Sequence, residues 1–195
     1  FLQVARGLAH MHNRGFVHTD IKPNNILVDE ERQVKIIDLG QACKIGTIKK
    51  RIQGTPGYMA PEQAHRMEIT PKTDIYNLGA MMYFILIGDF IPTAMPPKNT
   101  SNRLVHSAIE IDRVDLPTPP HERNSRIHML LSKQIMDCIK PHPEERTASM
   151  NVVVNRLELI RDVLEEPISA PPPTSRGDTT TFEGTIKPTS DKVDS

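Results

Sequence analysis

Between Asp74 and Ile87 the sequence is apolar on nearly every side of a helix, with Ile75, Leu78, Met81, Met82, Phe84 and Leu86 leaving little polar face for water. A helix of that kind is buried by its neighbours. The chain is therefore expected to wrap a domain around this segment. The same segment does not cross a membrane, since its longest apolar run, Leu78 to Ile87, falls short of the roughly 20 residues a bilayer needs and contains Gly79. At 195 residues the chain is long enough for one domain with a real core and too short for two of ordinary size.

The flanking sequence supplies the wrapping. Leu2, Val4, Ala5, Leu8 and Met11 already run at helical spacing from the first residue, Phe1, so the sequence is expected to open inside a helix, as a piece of a longer chain would. That helix should stop near Asn13-Arg14-Gly15. Three strand-sized apolar runs follow, Phe16-Val17, Ile26 to Val28 and Val34 to Ile37, with Asp29 to Gln33 as a hairpin turn. From Asp38 to Glu62 no periodicity persists, and the stretch reads as a long functional loop. Prolines at 92, 96, 97, 117, 119 and 120 mark irregular connections around a short helix expected at Leu104 to Ile109. Ile127 to Ile139 and Ser149 to Leu164 each carry one apolar side and read as amphipathic helices.

After Glu166 the composition shifts to Pro, Ser, Thr, Gly and Asp, with almost no large apolar side chains to offset the entropy of ordering. The expected division is a folded domain over 1–164 and a disordered tail over 165–195. Charge is balanced, 24 Lys+Arg against 24 Asp+Glu, so no overall field favours nucleic acid or an anionic membrane. Two cysteines, Cys43 and Cys138, without paired spacing suggest neither a disulfide framework nor a zinc site and fit a reducing, cytoplasmic compartment. None of the 8 His falls in a metal-binding spacing such as HExxH.

Chemistry concentrates in one run. His18-Thr19-Asp20-Ile21-Lys22-Pro23-Asn24-Asn25 sets an acid, a base and an amide on a tight loop between two short strands, and Asp38-Leu39-Gly40 follows the third. The ordered series HTDIKPNN, IDLG, GTPGYMAPE and DIYNLG resembles the catalytic loop, metal loop, activation segment and central helix of eukaryotic-type protein kinases. The resemblance covers about Phe1 to Leu164. It implies a mainly α fold with a small β unit, the large C-terminal lobe of the two-lobed kinase fold, and transfer of the γ-phosphate of ATP to Ser/Thr hydroxyls of protein substrates with Mg²⁺.

Residue by residue, the resemblance implies that Asp20 orients the substrate hydroxyl and takes its proton, while Lys22 reaches the transferring phosphate. Asn25 and Asp38 match the Mg²⁺ ligands at the nucleotide site, hard oxygen donors of the kind this ion prefers. Thr55 matches the substrate-side threonine that touches the catalytic Asp and Lys. Structural roles fall to His18 beneath the metal loop, to Gly40, to Glu62 paired with Arg146, and to Asp74, which holds the catalytic-loop backbone.

Leu39 replaces the usual Phe of the metal loop, an apolar exchange that preserves packing. Thr19 stands where most regulated kinases carry the Arg that receives an activation-loop phosphate, so dependence on such a phosphate, with Thr47 as the obvious acceptor, is expected to be weak. Nothing in the sequence resembles the Gly-rich loop, the ATP-binding lysine or its glutamate partner, all elements of the small lobe. The chain is accordingly read as a large-lobe fragment, inactive by itself. The alternative is a pseudokinase or truncated lobe serving as a non-catalytic protein-binding module; retention of Asp20, Lys22, Asn25 and Asp38 together argues against it.

Overall fold

The computed structural model describes residues 1–92 and 115–165, which belong to one unit, Phe1–Glu165. The helix expected at Leu104 to Ile109, the connection through Pro96 and Pro97, and the tail after Glu166 lie outside the described residues. Helix α1 (Leu2–His12) leads into β1 (Phe16–Val17) through Gly15, whose φ of 82° allows the sharp exit. A hairpin of β2 (Ile26–Val28) and β3 (Val34–Ile36) follows, tied at its turn by Gln33 N–H donating to Asp29 Oδ1. The loop from Asp38 to Glu62, expected to be irregular throughout, contains two short strands, β4 (Cys43–Lys44) and β5 (Thr47–Ile48).

Beyond it come the short helix α2 (Pro61–Ala64), β6 (Glu68–Ile69) and the central helix α3 (Pro71–Ile87). After the undescribed stretch stand α4 (Pro120–Arg123), α5 (Met129–Cys138) and α6 (Met150–Glu165). The short elements α2, α4, β4, β5 and β6 carry too few residues to show a period. The long ones appear where their apolar faces predicted them, with ends shifted by one to three residues.

The architecture is mainly helical with small sheets, as expected of a kinase-like large lobe. Among the described residues three sheets form, all antiparallel pairs, β1 with β4, β2 with β3, and β5 with β6. Isolated pairs of this size are marginal in water, so each depends on the helical body. Their value is positional. The β1–β4 pair sets Val17 opposite Cys43 and brings the loop after β1 beside the chain following Gly40. The β5–β6 pair, with Thr47 opposite Ile69, pins the middle of the 38–62 segment to the strand entering α3.

Helix α3 is the core, as its all-round apolar sequence required. Every residue from Thr73 to Tyr83 is buried, with α5, α1 and α6 against it. Thr70 Oγ1 accepts from Lys72 N–H at its start and Gly88, at φ 85°, closes its end, so both termini are capped by residues suited to the task. Leu8, Ile21, Ile75, Leu78, Met82, Ile135 and Val153 join the same apolar cluster. Burial pushes the Cys138 thiol up to about 11, an inert packing group rather than a nucleophile. Among the described residues, no helix is long and apolar enough to cross a membrane.

Two features hold this body together at single-residue resolution. At the crossing of α3 and α5, Gly79 lets the helices touch: a Cβ there would lie 2.6 Å from Cys138 Cβ and 2.8 Å from Ile139 Cγ2. Elsewhere, Arg146 is fully engaged. Its Nη1 and Nη2 each donate to Glu62 at 2.8 Å, and its remaining N–H groups reach the carbonyls of Lys140, Pro141 and Lys72. Thr73 Oγ1 donates to Glu62 Oε1 at 2.8 Å, and the guanidinium lies 4.8 Å from the Tyr76 ring centroid. The expected Glu62–Arg146 pair is thus formed, buried and satisfied on both sides.

Gly79→Ala should destabilise the domain by about 1–3 kcal/mol through overpacking, although alanine favours a helix by up to about 1 kcal/mol; the urea midpoint measures it, and an unchanged or higher midpoint contradicts the crossing described. Glu62→Ala should cost about 3–5 kcal/mol by leaving Arg146 buried and unpaired. In a double-mutant cycle with Arg146→Met, the two losses should fall well short of adding; additive losses would show that the pair is not coupled.

Candidate active site

The loop His18–Asn25 sits between β1 and β2, and its shape is held from α3. The Asp74 carboxylate, fully buried in the first turn of that helix, accepts from the backbone N–H of His18 and of Thr19 at 2.8 Å each. His12 Nε2, at the end of α1, donates to the same carboxylate at 2.8 Å. Thr19 has a φ of 68°, a conformation that β-branched residues rarely adopt and that needs restraint. The restraint is visible on every side of it. Besides its N–H on Asp74, its carbonyl accepts from Gln63 Nε2 at 2.7 Å and its hydroxyl donates to the Gln41 carbonyl at 2.9 Å.

His18 is fully buried. Its Nδ1 accepts from Asp20 N–H at 3.3 Å, which leaves Nε2–H to donate to the Ile37 carbonyl at 3.2 Å. The ring so ties the loop to the segment leading to Asp38.

That geometry presents Asp20, 4% exposed, to a ring of donors. Thr55 Oγ1 donates to its Oδ1 at 2.8 Å and Lys22 Nζ to its Oδ2 at 2.8 Å, while Lys22 Nζ also reaches Thr55 Oγ1 at 2.8 Å. Asn25 Nδ2 donates to the Asp20 carbonyl at 2.8 Å and to its Oδ2 at 3.3 Å. This fixes the amide and leaves its Oδ1 as the acceptor available to a cation. Asp20, Lys22, Asn25 and Thr55, separated by up to 35 residues in sequence, form one hydrogen-bonded cluster.

Asp38 lies two residues beyond the end of β3, exposed, at φ 61°, a left-handed position that Asp tolerates. Its Oδ1 accepts from Gly40 N–H at 3.2 Å, and a Cβ on Gly40 would stand 3.1 Å from that oxygen, so glycine suits the turn. Backbone pairing of Ile37 N–H with the Asn25 carbonyl at 2.9 Å draws the two metal-ligand candidates together. Among the described residues no group of three His, Cys, Asp or Glu could hold a metal, and Asn25 with Asp38 supplies two oxygen donors at most from this pair. Such a set suits Mg²⁺, which keeps several waters and binds mainly through one or two side chains plus substrate phosphates.

Four contributors escaped the sequence reading. Gln63 Oε1 accepts from Ala60 N–H and Asn77 Nδ2, while its Nε2 donates to Thr19 and Gln53 carbonyls, so one amide joins the loop, the 38–62 segment and α3. Asn77 also donates to the Tyr58 carbonyl at 2.7 Å. Gln41 Nε2 donates to Asp20 Oδ2 at 3.2 Å, and Lys49 Nζ donates to Thr19 Oγ1 and to the Gln41 carbonyl at 2.7 Å each. The one available sequence signal was a polar amide inside a buried stretch, as at Gln63 and Asn77. Thr47, the obvious phosphate acceptor in sequence, donates its hydroxyl to the Lys44 carbonyl at 2.7 Å.

The family description "protein kinase domain" matches residues 1–157. Similar curated proteins include a probable serine/threonine-protein kinase of Clostridium acetobutylicum, 31% identical over 164 residues, covering 82% of this chain and 24% of that protein. The serine/threonine-protein kinase PknB of Mycobacterium leprae is 30% identical over 171 residues, 85% of this chain and 26% of that protein. A probable leucine-rich repeat receptor-like serine/threonine-protein kinase of Arabidopsis thaliana is 36% identical over 169 residues, 80% of this chain and 16% of that protein. The chain spans about a quarter or less of the length of these relatives. With a family match over most of its length, the chain belongs to the protein kinase domain family.

Proposed function

We propose that this chain is the substrate-binding large lobe of a cytoplasmic protein Ser/Thr kinase, in which Asp20 activates the acceptor hydroxyl. The observation that carries the reading is the Asp20 carboxylate shared by Lys22 and Thr55, each at 2.8 Å. Thr55 already offers Asp20 a hydroxyl in the manner of a substrate Ser or Thr. An incoming hydroxyl would be oriented by the same carboxylate and would surrender its proton to it as its oxygen bonds to the γ-phosphorus and the bond from that phosphorus to the bridging oxygen breaks, releasing ADP. General-base assistance of this type is typically worth on the order of 10²–10⁴ in rate. Lys22 holds a positive charge beside the acceptor, where negative charge grows. Asn25 and Asp38 would hold Mg²⁺, and ATP with its metal supplies the transferable phosphoryl group. The names of the similar kinases favour Ser/Thr as acceptor, and the Lys22–Thr55 contact gives that preference a structural basis.

Positioning is most of phosphoryl-transfer catalysis. The sequence contains no Gly-x-Gly-x-x-Gly run to cover phosphates, so catalysis is taken to require a small lobe joined to this one. A non-catalytic docking lobe is the second reading, and the satisfied Asp20 cluster weighs against it.

Joined to its small lobe and given Mg²⁺–ATP, the chain should phosphorylate a protein substrate, whereas the chain alone should be silent. Asp20→Asn or Asp38→Ala should each lower kcat by about 10²-fold or more. Activity that survives both substitutions would place the chemistry elsewhere. Phosphoamino-acid analysis of the product should return phosphoserine and phosphothreonine; predominant phosphotyrosine overturns the acceptor assignment.

A further inference from the structure

Lys49 follows β5 directly, and β5 is fixed by its pairing with β6, so the lysine's main chain has an anchored starting point. Its ammonium donates at 2.7 Å to Thr19 Oγ1 and at 2.7 Å to the Gln41 carbonyl, and Thr19 Oγ1 donates to that same carbonyl at 2.9 Å. These three groups close a triangle over the strained residue of the loop. Gln41 carries the connection onward, because its side chain donates to Asp20 Oδ2 at 3.2 Å. Hydrogen bonds from a charged donor are roughly twice as strong as neutral ones, and this donor is half-buried rather than waving in solvent. Burial pushes the Lys49 pKa down, while Cys43, Asp20 and Asp74 nearby pull it up, so the ammonium has exchanged water for polar and acidic protein surroundings.

We propose that Lys49 is a positioning residue, an ammonium clasp that closes the 41–53 segment onto the His18–Asn25 loop through Thr19 and Gln41 and holds the Asp20 carboxylate in place with no phosphate on that segment. The clasp stands on geometry alone; its effect on catalysis rests on the kinase reading above.

Removing the clasp frees one bond on the Thr19 hydroxyl and one on the Gln41 carbonyl that this hydroxyl meets. The left-handed backbone there would then relax toward ordinary conformations, and the Asp20 carboxylate would lose the register set by its neighbours. Thr47 is the nearest hydroxyl that a phosphate could occupy on β5, and its hydroxyl is already engaged with Lys44. A positive charge supplied by the segment itself does the holding that a phosphate paired with an arginine would otherwise do.

Hydrogen exchange on this chain, as wild type, Lys49→Met and Lys49→Arg, tests the clasp without reference to activity. In Lys49→Met the amides of Thr19, Asp20 and Ala42 should exchange about tenfold faster, with α5 and α6 unchanged, and Lys49→Arg should recover most of the protection. Unchanged exchange in Lys49→Met overturns the clasp, as does acceleration spread evenly through α5 and α6. In the complete kinase Lys49→Met should lower kcat about tenfold with KM for ATP unchanged, Lys49→Arg should rescue it, and phosphatase treatment of the wild type should leave activity intact. Activity abolished by phosphatase overturns the phosphate-independent role. A complete wild-type protein that transfers no phosphate overturns the kinase reading instead, and the exchange result alone then decides the clasp.

Discussion

A carboxylate buried at the start of α3 receives three donors, the backbone amides of His18 and Thr19 and the ring of His12. Everything polar in the site is arranged around the loop that this carboxylate grips. Burying a charge is costly unless it is matched by hydrogen bonds. Asp74 is matched from two elements at once, α1 and the loop after β1, so the helix core and the loop register are set by one group. Thr19 can then occupy a backbone conformation it would not choose alone, and the turn it makes aims Asp20 at Lys22 and Thr55.

A second layer of polar residues distributes this rigidity. Gln63 serves as a junction between loop, segment and helix, and Arg146 spends all its donors on Glu62 and three carbonyls. Partly satisfied networks of this kind destabilise a core, whereas satisfied ones give it a unique arrangement. The 38–62 segment illustrates the point. Its apolar residues follow no sustained helical or strand period, yet β4, β5 and the Gln63 contacts hold it in one path across the lobe.

How much of this could be read beforehand follows from what each residue depends on. The helices α1, α3, α5 and α6 were legible because their apolar spacing reports burial directly, and the β2–β3 hairpin because its turn residues lie between two apolar runs. Asp20, Lys22, Asn25, Asp38 and Thr55 were legible as motifs, and the geometry brings all but Asp38 into direct mutual hydrogen bonding. Lys49 was not legible. In sequence it is one of several basic residues in a run that reads as a solvated loop, and its partners Thr19 and Gln41 are fixed only once β5 and β6 have paired. Gln41 and Gln63 share that difficulty, since an amide announces nothing about which distant carbonyl or carboxylate it will meet. The short helix α2 escaped because its four residues make barely one turn, so no period repeats within them.

The Glu62–Arg146 pair has a consequence for synthesis on the ribosome. The two residues are separated by 84 positions, so at about 5–20 residues per second a nascent chain carries Glu62 for roughly 4–17 s before its partner exists. During that interval a carboxylate destined for the interior has only water to satisfy it, and α2 cannot settle against α3 without burying an unmatched charge. The amino-terminal part of the site, from α1 through Asp74, can by contrast assemble as soon as α3 emerges. Vectorial synthesis would thus shape the His18–Asn25 loop first and lock the segment that faces it last.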